Sequence, residues 1–393
     1  MNNDKKNNVN VITNPIKKLK YSKDRIMEAR DIRARWYNHE KTERVPYVFT
    51  VGHPVVNAWF LANPYNFRDM CSDGKKAVEA HLLCFQHQFD TFPDCDFLPY
   101  MNFYYLGEGI LASMYGAKQL VDDLNPPFTE GRFFKDIYET EKIDNDFEVE
   151  STEWGAILKN HIELFLDVTD GEIPVGMPDY QSTYGTATKL MPNEDLMMAM
   201  YDEPELVHKF FNNITSGIIK LIETLEKWVG KDNLAYNVQN PIPGKCGLTI
   251  WDDYISVVTP KLHTEFCAPC TIRLYERFGY GHLHTCGPYF PGYIDACLAC
   301  LPRSMDISIM RNKEKSKEDI YKLLSITESK NIRLFGDLTS YESCIFEGEG
   351  VPPDEEMIKR FIAGGHMPSS GGTVEDGEKF KQMILNLPKG YFI

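Results

Sequence analysis

The chain has 393 residues, 43% of them hydrophobic, so it can bury a core large enough for one elaborated α/β barrel or two smaller domains. Its formal net charge of −15 disfavours nucleic acid and anionic membrane surfaces as partners. Because the sequence has no signal peptide and no apolar run of roughly 18 residues, we expect a soluble, cytoplasmic protein with reduced cysteines.

The first 42 residues predict a solvated N-terminal extension, because basic residues alternate there with Asn and Asp. From residue 43 to 393, short β-branched or aromatic runs alternate with amphipathic stretches, which predicts one domain of repeated βα units. The expected strands are 47–51, 91–97, 173–177, 234–238, 281–285, 304–309, 332–336 and 363–368. Segments 194–228 and 260–278 have the spacing of helices.

Eight such units predict a TIM-type (β/α)8 barrel with an N-terminal extension and an insertion, 102–150, after strand two. The insertion contains aromatic residues that could contact a substrate or pack as a lid, namely Phe103, Tyr104, Tyr105 and Tyr115. In a parallel barrel, reactive groups lie at the carboxyl ends of the strands, so the site is expected there.

The segment 281–288 is the most informative of these strand ends. Alternate residues of a strand share a face, so His284 and Cys286 can project together, and imidazole with thiolate is a common zinc pair. A His and a Cys two positions apart can also be an ordinary core pair. Zinc would need a third ligand from another strand end.

Several segments resemble the uroporphyrinogen decarboxylase superfamily, and in particular its corrinoid-dependent methyltransferase branch. The matching segments, spread over roughly 40–390, are 43–46, 200–205, 251–254, 256–260, 265–269, 278–279, 284–287 and 336–338. Within that superfamily a His-x-Cys motif distinguishes the methyltransferases from the metal-free decarboxylases. The decarboxylases carry an arginine-rich segment after strand one, whereas 51–57 contains no arginine. The resemblance therefore implies a methyltransferase whose catalytic residues include His284 and Cys286.

The third zinc ligand departs from the family pattern. Many relatives carry a cysteine in the glycine-rich turn after the last strand, but 364–372 contains none. We expect Cys344, in the loop after strand seven, to replace it, with His366 and Glu342 as weaker alternatives. Loss of zinc also remains an alternative.

Polar residues at other strand ends are the expected substrate contacts: Gln181, Tyr184, Asn237, Asp252 and Asp253. Each of them could instead cap a helix or satisfy a turn, and the two aspartates could orient His284. The pairs Cys267/Cys270 and Cys297/Cys300 fall in expected helices, which favours a core role.

Together these features predict a zinc-dependent methyltransferase that moves methyl between a small donor, a methoxylated aromatic or a methylamine, and a corrinoid (cobalamin) carried by a small partner protein. A separate carrier is expected because the sequence has no cobalamin-binding motif. The alternatives are a metal-free decarboxylase-type lyase, a methylcorrinoid:thiol or pterin methyltransferase, and a non-catalytic accessory barrel. A homodimer is also left open.

Overall fold

A computed structural model describes residues 21–51, 63–285, 292–307, 317–337, 355–372 and 374–386. Its strands, in chain order, are β1 (Val48–Val51), β2 (Gln119–Leu120), β3 (Phe128–Thr129), β4 (Val175–Gly176), β5 (Leu234–Ala235), β6 (Thr249–Trp251), β7 (His282–His284), β8 (Ser304–Ile307), β9 (Arg333–Asp337) and β10 (Met367–Gly372). Six of them form a parallel sheet in the order β1-β10-β9-β8-β7-β6. Strands β4 and β5 form a separate parallel pair, and β2 with β3 an antiparallel one.

Helices connect the strands of the sheet. The α-helices span Lys23–Tyr37, Phe67–Ser72, Gly74–Thr91, Ile110–Met114, Glu153–Thr169, Thr183–Leu190, Asn193–Asp202, Pro204–Val229, Pro260–Leu262, Ala268–Phe278, Tyr293–Ala299, Lys317–Ser329, Glu355–Ala363 and Val374–Leu385. A π-turn, His263–Cys267, joins two of them into one helical segment, and short 3-10 helices lie at Tyr104–Leu106, Ile137–Lys142, Val149–Ser151 and Asp253–Ser256. No described helix is both long and apolar enough to cross a membrane.

Local sequence explains where these helices begin and end. Ser182 and Thr259 cap their helices by accepting from backbone N–H groups of the first turn. The longest helix starts with Pro204 and ends before Gly230, whose φ of 82° suits glycine. These signals are local, so the helices could be anticipated from sequence.

Each strand of the six-stranded sheet presents alternate residues to two different surroundings. Phe49 packs on the rings of Phe92 and Phe380, which belong to the surrounding helical layer, and we call this side the helix face. The opposite side, the inner face, carries His282, whose ring contacts Phe335. His284 lies two residues after His282 and therefore shares the inner face.

The helix Lys23–Tyr37 packs against the start of the strands. The Trp36 indole donates to the Gly365 carbonyl at 2.7 Å, and the Arg33 guanidinium donates to the Asp96 carbonyl at 3.0 Å. Part of the expected N-terminal extension is therefore built into the core. The boundary at residue 42 stays a prediction.

One predicted strand was wrong, one strand was missed and one begins later than predicted. The helix Gly74–Thr91 runs into the expected strand 91–97, and the only described parallel pairing near it is a bridge between Met101 and Val175. Strand β6 was not predicted, and only its last residue, Trp251, belongs to a segment that the sequence singled out. Strand β10 begins at Met367, since a helix ends at Ala363 and Gly365 turns with φ 75°.

The mixed α/β architecture with a parallel sheet is consistent with a TIM-like fold. Among the described residues, however, the paired strands form an open ladder. Closure into an eight-stranded barrel therefore remains an expectation.

Candidate active site

His284 ends β7 and is held by a carboxylate from the neighbouring strand. Its Nδ1 hydrogen-bonds to Asp306 Oδ2, and Asp306 Oδ1 accepts from the Thr285 N–H at 3.2 Å. Because an ionised carboxylate can only accept, Nδ1 carries the proton and a neutral ring has its lone pair on Nε2. A carboxylate behind an imidazole in this way is the usual support of a metal-binding histidine.

Asp306 is held in its ionised form. Burial alone would raise the pKa of its carboxyl, but the imidazoles of His284 and His282 outweigh that effect and hold the pKa well below its usual range. His282 also reaches the Ser304 hydroxyl at 3.0 Å. The support of His284 is therefore anionic at any pH near neutrality.

Three further polar residues gather beside His284. Asp253 Oδ1 lies 3.5 Å from His284 Nε2. The Gln181 amide donates to Asp179 Oδ1 at 3.0 Å and to Asp253 Oδ2 at 3.2 Å, with the backbone of Gln181 in the left-handed region at φ 60°. We call Asp179, Gln181, Asp253, His284 and Asp306 the inner-face cluster.

The carboxyl of Asp179 has a higher pKa than an ordinary aspartate. Burial, together with the nearby carboxylates of Asp253 and Glu108, raises the pKa of Asp179 to about 7. A carboxyl with this pKa can hold or release a proton near neutral pH, as general acid–base chemistry requires.

The neighbouring Asp252 faces the opposite way. It accepts from the Ser182 hydroxyl at 3.0 Å and lies 2.8 Å from His263 Nε2 in the π-turn. Ligand atoms of Asp252, His263 and Cys300 lie within 4.8 Å of one another, and all three residues are buried. We call these three residues with Ser182 the helix-face cluster. It has the donor types of a metal site and also the closed hydrogen bonding of a structural network.

The expected substrate contacts thus divide into two groups. Gln181 and Asp253 lie with His284. The Tyr184 hydroxyl instead donates to Asn193, at 2.7 Å, and Asn237 closes a turn by accepting from the Asn240 N–H at 3.1 Å. For Tyr184, Asn237 and Asp252 the described contacts are those of packing and turns, and their role in binding substrate stays a prediction.

The remaining predicted metal ligands cannot be placed beside His284. Cys286, Cys344 and Glu342 lie outside the described residues. His366 lies just before the amino end of β10, whereas His284 lies at the carboxyl end of β7. The Nδ1 of His366 accepts from the Leu334 N–H at 3.1 Å. Its position does not suit it as a third ligand.

The aromatic residues of the insertion pack with their own surroundings. Phe103 and Tyr105 are buried, and the Tyr105 hydroxyl contacts His161 Nδ1 at 2.9 Å. The Tyr115 hydroxyl donates to Asn145 at 2.7 Å, while Tyr104 is largely exposed. These contacts favour the interpretation as lid packing. The cysteines 267, 270, 297 and 300 lie in or directly after helices, as expected, and only Cys270 is partly exposed.

Sequence reasoning missed Asp306 and Asp179. Asp306 could have been found, because the polar residues Ser304 and Asp306 alternate with the apolar Met305 and Ile307 in an expected strand. Asp179 gave no such signal, since its acidity depends on carboxylates brought together by the fold.

Comparisons with known proteins bear on the fold. No family model matches the sequence, and a search of curated proteins gives no match. Sixteen chains of solved structures do match. One is a methyltransferase from Methanosarcina mazei, with a TM-score of 0.62 and 13% identity, covering 88% of this chain and 92% of that chain. At this identity the likeness establishes a shared fold over most of both chains, and nothing finer.

Proposed function

We propose that this protein is a zinc-dependent methyltransferase that moves a methyl group between a small methylated donor and a corrinoid carried by a partner protein. The observation that carries the proposal is His284, held at a strand end by the half-buried Asp306 with its Nε2 turned toward Asp253. The fold shared with a methyltransferase supports it. The His-x-Cys sequence at 284–286 supports zinc in place of metal-free decarboxylation.

The geometry of His284 is compatible with a zinc ligand. His284 would be one ligand, because Asp306 fixes the tautomer that leaves Nε2 as the donor atom. Cys286 and Cys344 are the proposed thiolate ligands. Bound zinc would act as a Lewis acid on the atom from which the methyl group leaves, or on a thiol acceptor.

The chain's own residues would manage charge and protons around that atom. When a methyl group leaves an ether, the electron pair of the broken C–O bond stays on the oxygen, which then needs a proton, whereas a methylammonium donor departs as a neutral amine. Asp179, with a pKa raised by burial and by Asp253 and Glu108 to about 7, is suited to supply that proton. Gln181 joins Asp179 to Asp253 and so orients both carboxyls.

Methyl transfer to free cob(I)alamin tests this proposal. Zinc-loaded chain is mixed with cob(I)alamin and a panel of methoxylated aromatics and methylamines, and methylation is followed by absorbance. We expect transfer from at least one donor, and a loss of at least about a hundredfold in His284→Ala. His208→Ala, which removes an exposed histidine of the helix Pro204–Val229, is the matched control and should keep its activity. No transfer from any donor, or full activity in His284→Ala, would contradict the proposal.

A further inference from the structure

A cavity of about 270 Å³ lies beside β1, β9 and β10. Thr50, Phe335 and Ser369 are among the residues that line it. Phe335 also contacts the ring of His282, so the cavity is on the inner face of the sheet. It therefore shares a face with His284.

The strand register places this cavity close to the inner-face cluster. Phe335 is the direct partner of Asp306 in the β8–β9 ladder, and Asp306 holds His284. Neighbouring strands are about 4.8 Å apart, so β9 lies roughly 10 Å from β7. The cavity and His284 therefore lie on the same face of the sheet, about two strand spacings apart.

The cavity has the size of a substituted ring. An apolar cavity of about 150 Å³ holds one benzene molecule. At about 270 Å³, this cavity has room for a ring with several substituent atoms. Its walls include the aromatic side chains Phe85, Phe97 and Phe335, which offer flat apolar surface to such a ring.

Polar groups on the same walls have hydrogen-bonding capacity to spare. Within the described part of the chain, the Tyr100 hydroxyl, the Thr50 hydroxyl and the Gln239 side-chain amide have no hydrogen-bond partner, although all three residues line the cavity. Polar groups of a protein interior are normally paired with protein or water. Their placement favours a ligand that carries a few polar substituents.

The charge of the cavity favours one of the two donor classes. Arg33 lines it, and burial lowers the pKa of its guanidinium to about 10, so it stays cationic at neutral pH. Arg33 is held by the Asn240 side chain at 2.7 Å and the Gln239 carbonyl at 2.5 Å. None of the described lining residues is acidic. A methylammonium ion would meet a like charge here and no counter-ion.

We propose that this cavity binds the methyl donor, and that the donor is an uncharged methoxylated aromatic whose ring lies against Phe335 with its methoxy group toward His284. The identity as a methyl donor rests on the proposed function. Binding of the ring itself does not, because it depends on the cavity alone.

Calorimetry with 2-methoxyphenol as the probe tests this assignment on the full chain, without corrinoid. We expect saturable binding to wild type. Thr50→Leu adds volume at a wall residue with no hydrogen bond to lose, and it should weaken binding about tenfold or more, since overpacking of a tight site costs about 1–3 kcal/mol. Thr50→Val keeps the volume of threonine and serves as the matched control, with an affinity within about threefold of wild type. Tetramethylammonium should not bind in the cavity.

Three outcomes would overturn the proposal: no binding of 2-methoxyphenol, equal binding to wild type and Thr50→Leu, or binding of tetramethylammonium that Thr50→Leu weakens. Thermal unfolding confirms that each variant is folded. Ring binding without methyl transfer to cob(I)alamin would refute the proposed function and leave the cavity assignment standing. Transfer from methylamines alone would refute the cavity assignment and leave the proposed function standing.

Discussion

Asp252 and Asp253 are adjacent in the sequence but belong to two different sites. Asp252 is fully buried on the helix face, where Ser182 and His263 satisfy both of its carboxylate oxygens. Asp253 turns to the inner face, where its side chain and that of His284 keep 24% and 21% of their exposure. A carboxylate enclosed by its partners contributes to stability, whereas one beside a partly exposed imidazole can act on a ligand.

The two clusters also differ in what surrounds them. The helix-face cluster is covered by the π-turn and the helix Ala268–Phe278, and Cys300 lies beside it. The inner-face cluster has the raised pKa of Asp179, a sign of carboxyls crowded together at a functional site. Clusters of similar residue types therefore differ in role. The cluster on the helix face supports the structure, and the cluster on the inner face is suited to chemistry.

Removal of the Asp252 carboxylate should give the largest effect on stability. Asp252→Ala leaves the Ser182 hydroxyl and His263 buried without their partner, so we expect a loss of about 3 kcal/mol in the free energy of unfolding. Asp253→Ala, the matched variant on the inner face, should cost less than about 1 kcal/mol. Chemical unfolding measures both, and a reversed order would remove the distinction between the two faces.

Weakening the support of His284 should act on zinc binding. Asp306→Asn replaces the anionic acceptor by a neutral one, and we expect the zinc affinity to fall about tenfold to a hundredfold. Competition with a chelator measures this, with the exposed Asp295→Asn as a control of equal charge change. An unchanged zinc affinity in Asp306→Asn would place the metal elsewhere.

Asp179 should impose a pH dependence on the stability of the metal-free chain. Its carboxyl keeps a proton up to about pH 7 in the folded state because burial and the carboxylates of Asp253 and Glu108 raise its pKa, but an unfolded aspartate loses its proton near about pH 4. Between these values the unfolded state binds fewer protons, so rising pH favours unfolding.

Asp179→Asn removes that titration. Measured from pH 4 to pH 8, the Tm of the variant relative to wild type should therefore rise up to about pH 7 and stay level above it. A Tm difference that is constant over this range would show that Asp179 titrates normally.

Removal of a single tyrosine hydroxyl should give the smallest effect on stability, and two tyrosines should differ in it. The Tyr275 hydroxyl, on the helix face, donates to the His282 carbonyl at 2.9 Å, whereas that of Tyr100 borders the cavity. Tyr275→Phe should lose about 1 kcal/mol of stability and Tyr100→Phe close to none. Equal losses, measured by thermal unfolding, would mean that Tyr100 is paired in solution.

The sequence predicted the parts of this molecule that depend on local pattern. Period-two runs placed β1, β7, β8 and β9 to within a few residues, and the strand-end position singled out His284. It failed at 91–97, where the helix Gly74–Thr91 ends and an irregular turn follows, and at β6, which has only three residues. The opposite directions of Asp252 and Asp253 could not be predicted, because both residues follow the unpredicted β6 and Asp253 begins a 3-10 helix.

The position of zinc in a crystal of the zinc-loaded protein, read from anomalous scattering at the zinc edge, tests the division between the two faces most directly. We predict a peak at roughly 2.0–2.1 Å from His284 Nε2, on the inner face, with Asp306 on the other ring nitrogen. A peak among Asp252, His263 and Cys300 on the helix face, or none near His284, would contradict it.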